Sequence, residues 1–456
     1  MKITIFIAIT GALSFTVIYN YCYNFIYFDG RPGISDDFCW GKKENCKNDT
    51  NIYSFKINIR QEEIDDLISR LNNTRQFISR LENTQTQYGV SGQILEVIRK
   101  FVMEEYNFTQ RLIYLNKYPQ FKTKIQGLNI HFLHIKPKNR RDLPVIPILL
   151  LHGWPSSVRE FYESVPSFMS DNRQYAIELV IPTLPGFGYS DGATKPNCRT
   201  AHIANMLKIL MDRLGYKRYV VHGSDWGAVV ATNMATLYPE NVIGFHSNFC
   251  FSFRVVTLIK ILLAGLYPSA AFDDKYVNKL YPLSEYFKFL MSEAAYLHLM
   301  GTKSDTIGHT LDSTPIGLIS FMFEKLSVGT NKNNIYSPTA GLEHFDLTKI
   351  MDIILFYYWF PQKAATSSRI YSENLSLNGL LEGLHNIPIH PSVLCKCVMF
   401  ENEFFFLPEN FLRDKYTNLV GYDIYPGIGH FAAIEANDIL TEDIISFVER
   451  FFVKNS

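Results

Sequence analysis

The strongest constraint on this chain is a Gly-x-Asp-x-Gly frame centred on Asp225. Tyr219 to His222 form a short run rich in valine, Gly223 and Gly227 bracket the aspartate, and Ala228 to Ala235 have the composition of a helix. Glycines on both flanks let a strand and a helix pack closely around a strained turn, which lifts the central side chain out of the sheet. A serine at that tip attacks acyl carbon. A carboxylate is better suited to alkyl carbon, an epoxide or a carbon–halogen bond, where it forms an ester to the protein. Two other readings stand beside this one. Ser224, one place off the tip, could be mistaken for an esterase serine, and Asp225 could be an ordinary helix N-cap.

The chain has 456 residues, enough for one large domain with insertions or for two. With 47% apolar and 19% charged residues it is globular rather than disordered. Its 44 basic and 44 acidic residues give no charge excess to displace phosphate counterions, so nucleic acid is not an expected partner. The 7 cysteines are an odd, scattered set without paired metal-ligand spacings, which predicts reduced thiols and no metal site. Cys395 and Cys397 read as two residues on one face of a strand.

Ile3 to Phe28 carry no charged side chain, and the second half is dense in tyrosine and phenylalanine. This predicts a retained transmembrane anchor over residues 1–28, a cleaved secretory signal being the rival. Sequons at Asn48, Asn72, Asn107 and Asn374 would matter only if the body faced a lumen. Residues 29–129 read as a polar arm holding Trp40 and a mainly helical region. Ile64, Leu67, Ile68 and Leu71, for example, recur at helical spacing.

From 130 to 248 strand and helix patterns alternate, as a parallel α/β sheet requires. Val145 to Leu151 is a continuous apolar run, interrupted only by Pro147, which is awkward in a central strand. Over 249–365 the alternation gives way to helical and loop segments rich in aromatics, the pattern of a lid. Sheet pattern resumes in 366–456.

Three further pieces converge on Asp225. His430 follows a strand and precedes the last helix, where an imidazole can take a proton from water. Glu403 and its local rival Glu401 lie past the strand that contains Cys395, where a carboxylate can orient that histidine. The run His152 to Pro155 brings the backbone N–H of Trp154, which with that of Trp226 can form an oxyanion hole. His152 itself reads as structural. Chain order is nucleophile, acid, histidine, the order of the α/β-hydrolase fold.

With these motifs assembled, the chain resembles the microsomal epoxide hydrolase family, including the juvenile hormone epoxide hydrolases of insects. The resemblance covers nearly the whole length, and Lys303 to Gly308 and Asp312 to Leu318 contribute to it. It implies an α/β-hydrolase fold with a mainly helical lid. It assigns Tyr296 and Tyr371 as donors to the epoxide oxygen and prefers Glu403 over Glu401 as the acid.

The implied partners are a small lipophilic epoxide, water and membrane lipid at the endoplasmic reticulum, with no cofactor. Two departures stand out: Ser224 where the family has glycine, and Phe360 to Lys363 where it commonly has Thr-Thr-Gly-Thr. The rival functions are a haloalkane dehalogenase, which would need halide donors, and an inactive membrane-tethered binding homologue.

Overall fold

The computed structural model describes residues 33–46, 49–138, 143–271, 274–376 and 384–450. The anchor expected over residues 1–28, Cys22 and the Asn48 sequon lie outside them. Among the described residues no helix is long and apolar enough to cross a membrane.

The described strands form one nine-stranded sheet. They are β1 (Ile52–Phe55), β2 (Gln120–Ile125), β3 (Leu128–Ile135), β4 (Val145–Leu151), β5 (Ala176–Pro182), β6 (Tyr219–Gly223), β7 (Val242–Ser247), β8 (Leu394–Phe400) and β9 (Leu419–Tyr425). Their order is β1-β2-β3-β5-β4-β6-β7-β8-β9. The β1–β2, β2–β3 and β3–β5 pairs are antiparallel, and every pair from β5 through β4 to β9 is parallel. The apolar runs of β4, β5 and β6 are almost wholly buried, as strands covered on both faces must be. Pro147 is tolerated because the ladder from β4 to β6 begins only at Ile148.

Helix α1 (Gln61–Asn72) buries Leu67 and Leu71, and α2 (Gly92–Lys100) buries Ile94, Leu95 and Ile98; α3 (Phe108–Leu115) follows. In the core, α4 (Thr200–Arg213) packs beside α5 (Asp225–Leu237), which begins at the aspartate itself. Between β7 and β8 lie α6 (Val255–Ala264), α7 (Leu283–Glu293), α8 (Ala295–Ser313), α9 (Pro315–Thr330) and α10 (Ala364–Leu375). A fully buried π-helical stretch, Asp352–Trp359, leads into α10. The chain returns to the core through β8 and β9 and ends in α11 (Asn437–Val448).

Two findings differ from the sequence expectations. The sheet reaches into the 29–129 stretch, since β1 and β2 form its antiparallel edge. Both are short and mixed in polarity, which hides them from a periodicity reading. The cysteines are also not all reduced: Cys39 pairs with Cys46, and Cys250 with Cys397. The second bridge joins residues 147 apart in sequence. Strand order explains it: β7 lies beside β8 with Ser247 opposite Cys397, and Cys250 follows three residues later. Cys198 and Cys395 remain free and buried.

Candidate active site

The site is built on the turn between β6 and α5. Asp225 has a φ of +48°, the left-handed region that an L-residue adopts only where its surroundings enforce it. A Cβ on Gly227 would meet the Leu151 carbonyl of β4, so glycine is required for α5 to approach the sheet. Ser224 does not crowd the turn. Its backbone is extended at φ −118°, and its hydroxyl donates to Glu160 at 3.2 Å. The aspartate, not this serine, therefore occupies the strained tip.

Three contacts define the electrostatics around Asp225. The Trp154 backbone N–H donates to Asp225 Oδ1 at 2.7 Å. His430 Nε2 lies 3.2 Å from Asp225 Oδ2. Asp225 also opens α5, where the helix dipole favours negative charge. Trp226 follows in the first turn, whose backbone N–H groups have no intrahelical acceptor.

His430 is 4% exposed and is boxed by the rings of Phe249, Phe404 and Phe431, with centroids 4.9–5.2 Å away. Its Nδ1 lies 2.8 and 2.9 Å from the two oxygens of Glu403. Burial alone would lower the His430 pKa, but the Glu403 and Asp225 carboxylates outweigh it and push the group up to about 10. Glu401, the local rival, instead accepts from the Gly427 backbone at 3.0 Å. His152 is fully buried, its Nδ1 3.1 Å from the Gly153 carbonyl, and its Nε2 accepts from the Leu184 N–H at 3.2 Å. Burial lowers its pKa to about 4, so it stays neutral and holds the loop after β5.

The two tyrosines come together from different helices between β7 and β8, Tyr296 within the lid and Tyr371 just past it. Tyr296 starts α8 and stacks on Trp154 at 5.7 Å, while Tyr371 on α10 meets Trp226 edge-on at 5.0 Å. Their own rings lie 6.0 Å apart. Burial, reinforced by Asp225, raises both phenol pKa values well above the usual tyrosine range, so both remain proton donors at neutral pH. Asp305 pairs with Arg369 at 2.7 Å, and Asp312 accepts from the first N–H groups of α10. These contacts lock α8 to α10 and so hold the phenols as a pair.

The Phe360 to Lys363 departure lies away from Asp225: Phe360 packs on Phe108 of α3, and Lys363 donates to the Ser190 carbonyl at 3.0 Å. An open groove over residues 72–83 and 91–99 shares no lining residue with the site.

Glu160 was missed in the sequence. It is 3% exposed, next to a small cavity that also touches Asp225 and His430. Burial raises its pKa to about 7. Its neighbours Arg159 and Glu163 make the segment read as a charged surface turn. Its only available signal was its place just after the His152 to Pro155 run.

A carboxylate gripped by a backbone N–H and a buried imidazole, with two phenols nearby, can form and then hydrolyse an ester. Comparison with known proteins narrows this chemistry. The family profile described as "Epoxide hydrolase N terminus" matches residues 52–161, and that of the "alpha/beta hydrolase fold" matches residues 146–248. The chain is 38% identical to juvenile hormone epoxide hydrolase 2 of Ctenocephalides felis over 430 residues, 93% of this chain and 91% of the relative. The chain belongs to the epoxide hydrolase family.

Epoxide hydrolase 1 of Sus scrofa is 34% identical over 90% of this chain and 91% of its own length. The crystal structure of juvenile hormone epoxide hydrolase from Bombyx mori superposes with a TM-score of 0.88 at 37% identity, over 92% of this chain and 99% of that one. The α/β-hydrolase fold and an epoxide hydrolase activity follow. Neither the dehalogenase nor the inactive-homologue alternative is favoured by these relatives.

Proposed function

We propose that this epoxide hydrolase is anchored in the endoplasmic reticulum membrane by residues 1–28 and opens lipophilic epoxides to vicinal diols through an ester on Asp225. The observation that carries the mechanism is the double grip on Asp225 by the Trp154 N–H and His430 Nε2. Asp225 attacks a ring carbon, and the C–O bond to that carbon breaks. Tyr296 and Tyr371 donate to the departing oxygen, and the phenol pair supplies its proton. His430, oriented by Glu403, then takes a proton from water as that water attacks the ester carbonyl. The N–H groups of Trp154 and Trp226 carry the charge that develops on the carbonyl oxygen. Collapse of that intermediate expels the diol's alkoxide, which takes the proton from His430, and the proton left on the Asp225 carboxyl returns to the phenol pair, restoring the carboxylate and the donors.

The substrate class follows from chemistry and kinship. The charge-free segment from Ile3 to Phe28 suits delivery from lipid, and several relatives are named for juvenile hormone while others are epoxide hydrolase 1. Both a juvenile hormone epoxide and a xenobiotic arene or alkene epoxide therefore fall within the proposed range. The test uses the full chain in detergent with one epoxide of each type and a haloalkane. Diol formation from either epoxide without halide release supports the reading. Halide release without diol formation contradicts it.

A further inference from the structure

We propose that the cavity behind Asp225 binds the hydrolytic water and that Glu160 is the residue that positions it. The inference rests on the aspartyl-ester reading above. Gly153, Ser156, Glu160, Ser224, Asp225 and His430 all line this space, and residues 431–433 wall it. Neither Tyr296 nor Tyr371 does, so water held there is separate from the donors to the epoxide oxygen. The room available is about that of one water molecule.

The lining is polar and built for a hydrogen-bonding guest. Glu160 is 3% exposed and accepts from Ser224 Oγ at 3.2 Å. Ser156 is 2% exposed, and its hydroxyl lies near enough to Glu160 to favour the charged carboxylate. Buried hydroxyls and a buried carboxylate around a polar space of this size are features of a water site.

The chemistry needs such a site. An attacking water must aim a lone pair at the Asp225 carbonyl carbon, so both of its hydrogens need acceptors. His430 offers only Nε2, because Nδ1 is held by Glu403. Glu160 supplies the second acceptor.

In the step itself, the water oxygen bonds to the ester carbon and one water proton moves to His430 Nε2. The carbonyl electron pair moves onto the oxyanion. Its return expels the diol's alkoxide, which takes the proton back from the imidazolium. Asp225 keeps the new oxygen, and the second water proton, left on its carboxyl, is given up to restore the phenol that protonated the epoxide oxygen.

The electrostatics move in the required direction between the two half-reactions. Burial chiefly raises the Glu160 pKa, and the charge on Asp225 adds to the rise; Asp225 also helps to raise that of His430. Esterification neutralises Asp225. Glu160 then ionises more fully, and His430 becomes easier to deprotonate, in the state where water must be held and activated.

The test separates the half-reactions by rapid quench of the full-length protein with a lipophilic epoxide, following the ester on the Asp225 peptide by mass spectrometry. Variants are Glu160→Leu and Glu160→Gln. The second keeps the shape and a neutral acceptor, and decides the matter alone if the first does not fold. Ester formation is expected to stay near the wild-type rate. Ester hydrolysis should fall by about 10- to 100-fold, the worth of one hydrogen bond to a charged group, with Gln the milder change.

Ester should therefore accumulate in the variants. Wild-type hydrolysis rates, or equal slowing of both half-reactions, would overturn the proposal. Absence of any ester on wild-type Asp225 would overturn the underlying mechanism instead.

Discussion

Glu403→Gln removes one negative charge from a site where solvent cannot replace it. The Glu403 side chain is fully buried, and both oxygens lie within 2.9 Å of His430 Nδ1. A hydrogen bond to a charged group is worth about 1.5–3 kcal/mol. The imidazolium that forms during ester hydrolysis needs that bond, whereas attack by Asp225 on the epoxide needs no base. At about 1.4 kcal/mol per factor of ten, hydrolysis should slow by about 10- to 100-fold with ester formation largely preserved.

The pH dependence has a definite sign. Glu403 raises the His430 pKa, so its loss lowers that pKa and neutral imidazole appears at more acid pH. The hydrolysis profile should move toward acid even as its plateau falls. Rapid-quench measurement of both half-reactions across pH tests this. Unchanged hydrolysis, or an equal loss from Glu401→Gln, would refute the assignment of Glu403 as the orienting acid.

Replacing Tyr296 and Tyr371 together by Phe should slow ester formation by at least about 100-fold, as loss of donors to a developing charge does, while each single change leaves partial activity; an unchanged rate in rapid quench would remove them as the acid pair. Asp352→Ala should destabilise the fold by about 3 kcal/mol, because Arg159, Arg111 and Tyr106 all bond this fully buried carboxylate and, among the described residues, Arg159 then keeps only Glu163 as an ion-pair partner. Chemical denaturation would read that loss, and an unchanged midpoint would contradict it. Deleting residues 1–28 should weaken sedimentation with membranes yet leave diol formation by the released protein; a full-length protein that stays wholly in the supernatant would contradict the anchor.

How far the site could be read in the sequence depended on how local each signal was. The turn at Asp225 announces itself because its glycines are demanded by nearby backbone, at Gly227 by the Leu151 carbonyl. His430 was legible from its place between the last strand and the last helix. Glu403 and Glu401 could not be separated by position alone, since both follow β8 and only tertiary contacts send one to His430 and the other to Gly427.

Tyr296 and Tyr371 were reachable only through family resemblance, as they lie 75 positions apart in an aromatic-rich stretch. Glu160 was hidden among Arg159 and Glu163, a grouping that looks solvated until tertiary packing buries Arg159 and Glu160. The Cys250–Cys397 bridge required the strand order, which no cysteine spacing reveals. The strands β1 and β2 were lost for a different reason: β1 is a four-residue, mostly exposed edge strand, and β2 beside it mixes lysine, threonine and glutamine with its apolar residues.

The central claim is that Asp225 bonds covalently to the substrate. A single turnover with excess protein in heavy-oxygen water tests it most directly. An Asp225 ester predicts that the first diol carries unlabelled oxygen from the carboxylate while the label enters the Asp225 side chain. Full label in that first diol, with none in the Asp225 peptide, would show direct attack by water and contradict the mechanism.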